Sequence, residues 1–130
     1  MATLIIASIS DRSGKTAVAA ALAQRLGTED SRVAIGKASA SDSADNADSG
    51  VFASLLPDNP AVSGAVGEIA SKISGSGGSS KIAIVEGSSD SKSNLELANS
   101  TDGLILLIAR YGETVTAAAK EYGSRLAGVI

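Results

Sequence analysis

Apolar residues in this chain fall into short, dense runs separated by small and polar residues, and the runs alternate between two periods. Thr3 to Ser8 is a continuous apolar run of the kind that forms a strand buried on both faces. The same pattern predicts strands over 81–86 and 103–109, with two more over 32–37 and 126–130. From Gly14 to Leu26 the spacing changes: Val18, Ala21, Leu22 and Leu26 recur at helical intervals, and Gly27 stands where a C-terminal glycine cap belongs. Pro60 suits the first turn of another helix running to about Ile73, and further helices are expected near 94–99 and 114–122, with a short one over 51–56. Residues 38–50, rich in Ser, Asp and Ala without periodicity, read as an exposed, mobile loop, and Gly75 to Ser80 reads as a flexible connection.

Regular alternation of strand and helix predicts an α/β fold, a mostly parallel sheet of about five strands with helices on both faces. A length of 130 residues makes this one domain spanning 1–130. Hydrophobic residues are 44% and charged residues 19%, enough apolar surface for a packed core. Aromatic residues are only 2%, so the core is aliphatic and base-stacking platforms are excluded. A net charge of -3 gives no field that would attract a nucleic-acid backbone, so no nucleic-acid partner is expected. The counts Cys 0 and His 0 remove thiolate chemistry, disulfides, imidazole zinc sites and histidine triads, leaving a hard cation held by oxygens as the metal chemistry open to the chain. The apolar runs are far shorter than the roughly 20 residues that cross a bilayer, and Leu4 to Ala7 is too short for a signal-peptide core, so a cytoplasmic protein without a membrane partner is expected.

Candidate chemistry concentrates where the first strand meets the first helix. There Ser13-Gly14-Lys15-Thr16 combines a glycine for close backbone approach, an ammonium for outer phosphates and a hydroxyl suited to magnesium, at a place where backbone amides and the helix dipole face an anion. The alternative is an ordinary helix start in which Ser13 caps, Gly14 turns and Lys15 is solvated. Glu86 ends an apolar strand, at the edge that faces the ligand crevice in a parallel sheet, and would reach a magnesium ion beside Thr16. Lys37 ends the second strand on that edge, followed by Asp42, Asp45 and Asp48, which would offer substrate and metal contacts or simply form a solvated loop.

The run Ile-Ala-Ser-Ile-Ser-Asp-Arg-Ser-Gly-Lys-Thr-Ala from Ile6 to Ala17, together with Gly36-Lys37, Asp48, Val85-Glu86-Gly87, Thr101-Asp102-Gly103 and Leu126 to Ile130, resembles the dethiobiotin-synthetase-like P-loop family. That family includes an ATP-dependent carboxylase and a related domain at the N-terminus of some phosphate acetyltransferases. The resemblance implies a P-loop NTPase fold in which Ser10, Asp11, Arg12, Ser13, Gly14, Lys15 and Thr16 wrap the phosphates of ATP. It further implies that Thr16, Asp48 and Glu86 hold Mg2+, and that Lys37 and Ser41 contact a carbamate-bearing substrate. Ser8 stands where the family's loop begins with glycine, Ile9 occupies the glycine position of the shorter loop pattern, and Ala38 replaces the proline that follows the family's lysine.

The expected function is therefore binding of Mg2+ and ATP, with phosphoryl transfer to a carboxylate or carbamate on a small-molecule acceptor. Lys15 and Lys37 would be its catalytic residues. The alternative, from another class, is a noncatalytic nucleotide-sensing or assembly domain. A homodimer is expected on either reading, since so small an aliphatic core gains from burying further apolar surface.

Overall fold

The computed structural model describes residues 2–27, 33–39, 52, 54, 61–76 and 82–130. Ser41, Asp42, Asp45 and Asp48, with most of the expected 38–50 loop, the 51–56 helix and the 75–80 connection, lie outside the described residues. The elements run β1 (Ala2–Ser8), α1 (Lys15–Leu26), β2 (Val33–Ser39), β3 (Ala61–Ala65), α2 (Val66–Ser76), β4 (Ile82–Glu86), α3 (Ser91–Thr101), β5 (Leu104–Ile108), α4 (Thr116–Tyr122) and, after a single 3-10 turn at Gly123–Arg125, β6 (Leu126–Val129). This is the expected α/β fold, with every strand pairing parallel. The sheet has six strands rather than about five, in the order β3-β2-β4-β1-β5-β6.

The additional strand corrects the helix expected from Pro60. Residues 61–65 pair with β2, Ile35 opposite Ala61 through Ser39 opposite Ala65, and the helix begins only at Val66. Five residues containing Val62 and Gly64 have little helix preference of their own, and a ready sheet edge supplies backbone partners at once. Gly64 also leaves room for Lys72, whose Nζ would stand 2.6 Å from a β-carbon there. Residues Ala38 and Ser39 extend β2 beyond the expected end, and α2 takes in Gly75 and Ser76.

The crossover directions sort the helices between the two faces. From β1 the chain moves through α1 toward β2 and on to β3, whereas α2, α3 and α4 carry it back across the sheet to β4, β5 and β6. Right-handed crossovers running in opposite directions must put their helices on opposite faces. The packing agrees: Ile6, Val33, Ile35, Ile84 and Ile108 meet Ala19, Ala20, Ala23 and Phe52 on one face. On the other, Ile5, Ala34, Val85, Ile105 and Leu107 meet Ile69 and Ile73 of α2, Leu97 and Ala98 of α3, and Tyr122 of α4.

α1 turns a different side to the sheet than its sequence pattern suggests. Ala19, Ala20 and Ala23 are buried, Val18 and Leu22 flank them, and Ala21 and Leu26 are exposed. Small side chains let the helix sit close over Ile6 and Ile84, and this contact outweighs the burial of the larger Leu26. Gly27 follows the helix as expected, but in an extended conformation (φ -71, ψ 132), its amide bonded to the Ala23 carbonyl at 2.9 Å. Among the described residues no helix is long and apolar enough to cross a membrane.

Candidate functional site

In a parallel sheet the favoured ligand crevice opens at the C-terminal ends of two neighbouring strands whose outgoing connections leave in opposite directions. Here those strands are β1 and β4, paired from Ala2 opposite Ile82 to Ile6 opposite Glu86. The chain leaves β1 toward one edge through α1 and leaves β4 toward the other through α3. Both candidate motifs stand at this point, the 9–14 loop after β1 and Glu86-Gly87 closing β4.

Strand alternation brings the side chains together. Leu4 and Ile6 face α1, and Ser8 continues that row; Ile82 and Ile84 do the same in β4, and Glu86 follows; Val33 and Ile35 do so in β2, and Lys37 follows. Ser8, Glu86 and Lys37 thus share the α1 face, with Lys37 in register opposite Glu86. Lys15 Nζ donates to Ser8 Oγ at 2.9 Å. Thr16 Oγ1 donates to Glu86 Oε2 at 2.9 Å, joining positions 70 residues apart. Ser8 is 1% exposed and Glu86 4%, so both stand at the floor of the loop rather than in bulk solvent.

The helix start is not an ordinary capped one. Gly14 is the N-cap, in the left-handed region at φ +85, and no side chain caps it. The first intrahelical bond runs from the Val18 amide to the Gly14 carbonyl at 3.1 Å, so the amides of Lys15, Thr16 and Ala17 precede the helix ladder. Ser13, the cap on the plainer reading, instead has a buried hydroxyl with no hydrogen-bond partner among the described residues. A buried hydroxyl without a partner is uncommon and marks a place where a ligand oxygen or water would be welcome.

Further residues shape the loop and had no part in the sequence expectation. Arg110 donates to the main-chain carbonyls of Asp11 and Arg12, the latter at 2.7 Å. Ser10 Oγ donates to Glu113 Oε1 at 2.5 Å, and Ser89 Oγ to Asp11 Oδ1 at 2.7 Å. The Ser10 hydroxyl, aided by the Arg110 amide, holds the Glu113 carboxyl below the usual glutamate range. Behind Glu86, Asn94 of α3 is 1% exposed and fastens the turn after β4. Its Oδ1 accepts from the Ser88 amide at 2.9 Å, and its Nδ2 donates to the Ser88 carbonyl at 2.9 Å and to Tyr122 Oη at 3.0 Å. Gly87 is required there, because a β-carbon would collide with Asn94 Oδ1 and crowd Ile5 Cγ2 at 3.1 Å.

A magnesium ion fits the donor set. Thr16 and Glu86 offer hard oxygens side by side, and among the described residues no three Asp, Glu, His or Cys side chains gather into a self-sufficient cage. Magnesium is commonly held by one or two protein oxygens, with phosphate oxygens and water completing its shell. Beside the loop, toward α4, a cleft of about 240 Å³ is lined by Ser8, Ile9, Ser89, Ser91, Glu121 and Tyr122 among others.

Of the expected site residues, Ser10, Asp11, Arg12, Ser13, Gly14, Lys15, Thr16, Lys37 and Glu86 gather at this edge of the sheet. The Thr101-Asp102-Gly103 stretch, which shares in the resemblance but has no expected site role, lies elsewhere. It ends α3 at the opposite edge, with Asp102 in the left-handed region at φ 49 and bonded to Arg125 Nη1 at 2.8 Å. Gly103 packs under Thr3, where a β-carbon would stand 3.0 Å from the Thr3 carbonyl oxygen. Of the missed residues, Asn94 had a legible signal, a polar side chain in line with Leu97 and Ala98 on one helix face. Gly112 marks a turn, but nothing local links Arg110 and Glu113 to residues a hundred positions earlier. The chain matches no family model and no curated protein.

Proposed function

We propose that this domain binds ATP with Mg2+ at the junction of β1 and α1 and transfers the terminal phosphoryl group to a carboxylate or carbamate acceptor. The observation that carries the reading is the Thr16–Glu86 hydrogen bond at the switch point of the sheet, with the Lys15 ammonium anchored on the floor of the same loop. Free amides at the start of α1 and the left-handed Gly14 suit a polyphosphate, and the helix dipole favours its charge. Thr16 and Glu86 would hold the metal, which supplies charge neutralisation on the phosphate oxygens. Lys15 would lie along the outer phosphates, releasing Ser8 in exchange for a phosphate oxygen. Lys37, in register with Glu86 on the same face, would orient the acceptor's anionic group. An acceptor oxygen then bonds to the terminal phosphorus as the bond to the bridging oxygen breaks, and ADP leaves with that electron pair.

Calorimetric titration of ATP with and without Mg2+ tests the site. Wild-type protein should bind in a Mg2+-dependent way, and Lys15→Ala should lose at least tenfold in affinity, as expected for removal of a charge-assisted contact worth about 1.5–3 kcal/mol. Wild-type protein that binds neither ATP nor its magnesium complex would refute the reading. Magnesium-dependent binding with no turnover across carboxylate and amine acceptors would leave the nucleotide site standing and remove the transfer step.

A further inference from the structure

The loop from Ser8 to Ser13 contains no glycine, yet it must present backbone amides in a tight curve between β1 and α1. Loops that cradle phosphates ordinarily reach such shapes because glycine admits them without steric cost. In this chain the loop is held from outside. Residues 110–113, between β5 and α4, form a turn closed by the Glu113 amide on the Arg110 carbonyl at 3.0 Å. Gly112, at φ +87, occupies the third position, where a type II turn requires a left-handed residue. From this one turn the Arg110 guanidinium reaches the carbonyls of Asp11 and Arg12, and the Glu113 carboxylate receives the Ser10 hydroxyl and, at 2.7 Å, the Arg110 amide. Three consecutive loop residues, Ser10, Asp11 and Arg12, are thereby tied to one turn.

The direction of these ties matters. In a trans peptide the carbonyl and the following amide point in opposite directions. Carbonyls of Asp11 and Arg12 drawn toward Arg110 therefore turn the amides of Arg12 and Ser13 away from it. Arg12 is held in the left-handed region at φ 55, a conformation an arginine rarely adopts unaided. We propose that the Arg110–Glu113 turn is the positioning element of the anion loop, replacing by hydrogen bonds from the turn after a neighbouring strand the role that glycines play within other phosphate loops. Arg110 acts through the loop and does not itself touch the nucleotide. The ligand in this inference rests on the phosphate-site reading, whereas the ordering of the loop does not.

The two are separated by measuring 15N order parameters for residues 10–14 in the free protein alongside calorimetric affinity for magnesium ATP, in wild type, Arg110→Ala and Arg110→Lys. Wild type should show loop order parameters near the rigid value of about 0.85, and Arg110→Ala should bring residues 10–13 to about 0.6 or below. The same variant should bind magnesium ATP about ten- to a hundredfold more weakly, with its urea midpoint close to wild type. Arg110→Lys, which keeps one cationic donor, should recover part of both losses, and added methylguanidinium should recover part of both in Arg110→Ala. Unchanged loop order in Arg110→Ala overturns the proposal, and so does lost order with undiminished affinity. Should wild type bind no nucleotide, the phosphate-site reading fails and the order parameters alone decide the positioning role. Should Arg110→Ala not fold, the lysine variant is read in its place, and wild-type order and affinity there would overturn the proposal.

Discussion

Gly14 and Asn94 show how single residues set the geometry of this site for different reasons. Gly14 is needed for its backbone, since a β-carbon there would meet nothing within 4 Å while φ stays at +85. Gly14→Ala should therefore lose about 1–2 kcal/mol by conformational strain alone, read as a lower urea midpoint with an unchanged slope. Asn94 is needed for its amide. Asn94→Leu keeps the approximate volume but strands the Ser88 amide, deprives the Tyr122 hydroxyl of its Asn94 donor and leaves the Ser88 carbonyl with the Ser8 amide as its remaining donor, and should destabilise the fold by about 3 kcal/mol. Thr16 and Glu86 could be picked out in the sequence because their chemistry is tied to local patterns, a Gly-Lys-Thr triplet and a carboxylate ending an apolar run. Asn94 could not be given a role that way, because its partners lie on the β4 turn and on α4.

Among the elements, α1 and β3 depart most from their sequence patterns. A helix rich in alanine offers several faces of similar hydrophobicity, and the sheet selects the one that permits the closest approach. Ala23→Leu should cost about 2 kcal/mol by overpacking against the sheet, whereas Ala21→Leu on the exposed side should stay within about 0.5 kcal/mol, both measured by urea unfolding. Had Ala21 faced the core, as the spacing suggested, the two variants would exchange ranks. β3 follows the same logic: a short segment of weak preference becomes a strand because the edge of β2 is there to pair with. β1, β4 and β5 were legible without help, as continuous apolar runs too short for buried helices.

Across the whole molecule, charge and topology set how the protein responds to its surroundings. With His 0, no side chain of ordinary pKa titrates between pH 5 and 8, so stability should be flat there. Asp90, lowered by the Ser93 hydroxyl and amide at the N-cap of α3, and Glu113, lowered by Ser10, both have folded-state values below their unfolded ones. Their contributions are complete above the ordinary carboxylate range and vanish as pH falls through the folded values, so stability should drop only on strong acidification. Asp90→Asn together with Glu113→Gln should flatten that acid limb in urea unfolding followed against pH. Tyr122 behaves oppositely: burial raises its hydroxyl pKa, with the Asn94 hydrogen bond opposing, so stability should decline as pH rises past the ordinary tyrosine value.

Strand-helix alternation, the parallel sheet and the position of Gly14-Lys15-Thr16 at a strand-to-helix junction were determined by the sequence alone, because each rests on contacts within a few residues or on periodicities of 2 and 3.6. The tertiary structure decided the rest: the sixth strand, the alanine face of α1, the meeting of Thr16 with Glu86 and of Lys15 with Ser8, and the turn that grips a loop without glycine. These depend on which strands lie side by side and on which way the crossovers run. Such choices are made by the burial of the whole sheet, so no local stretch of sequence records them.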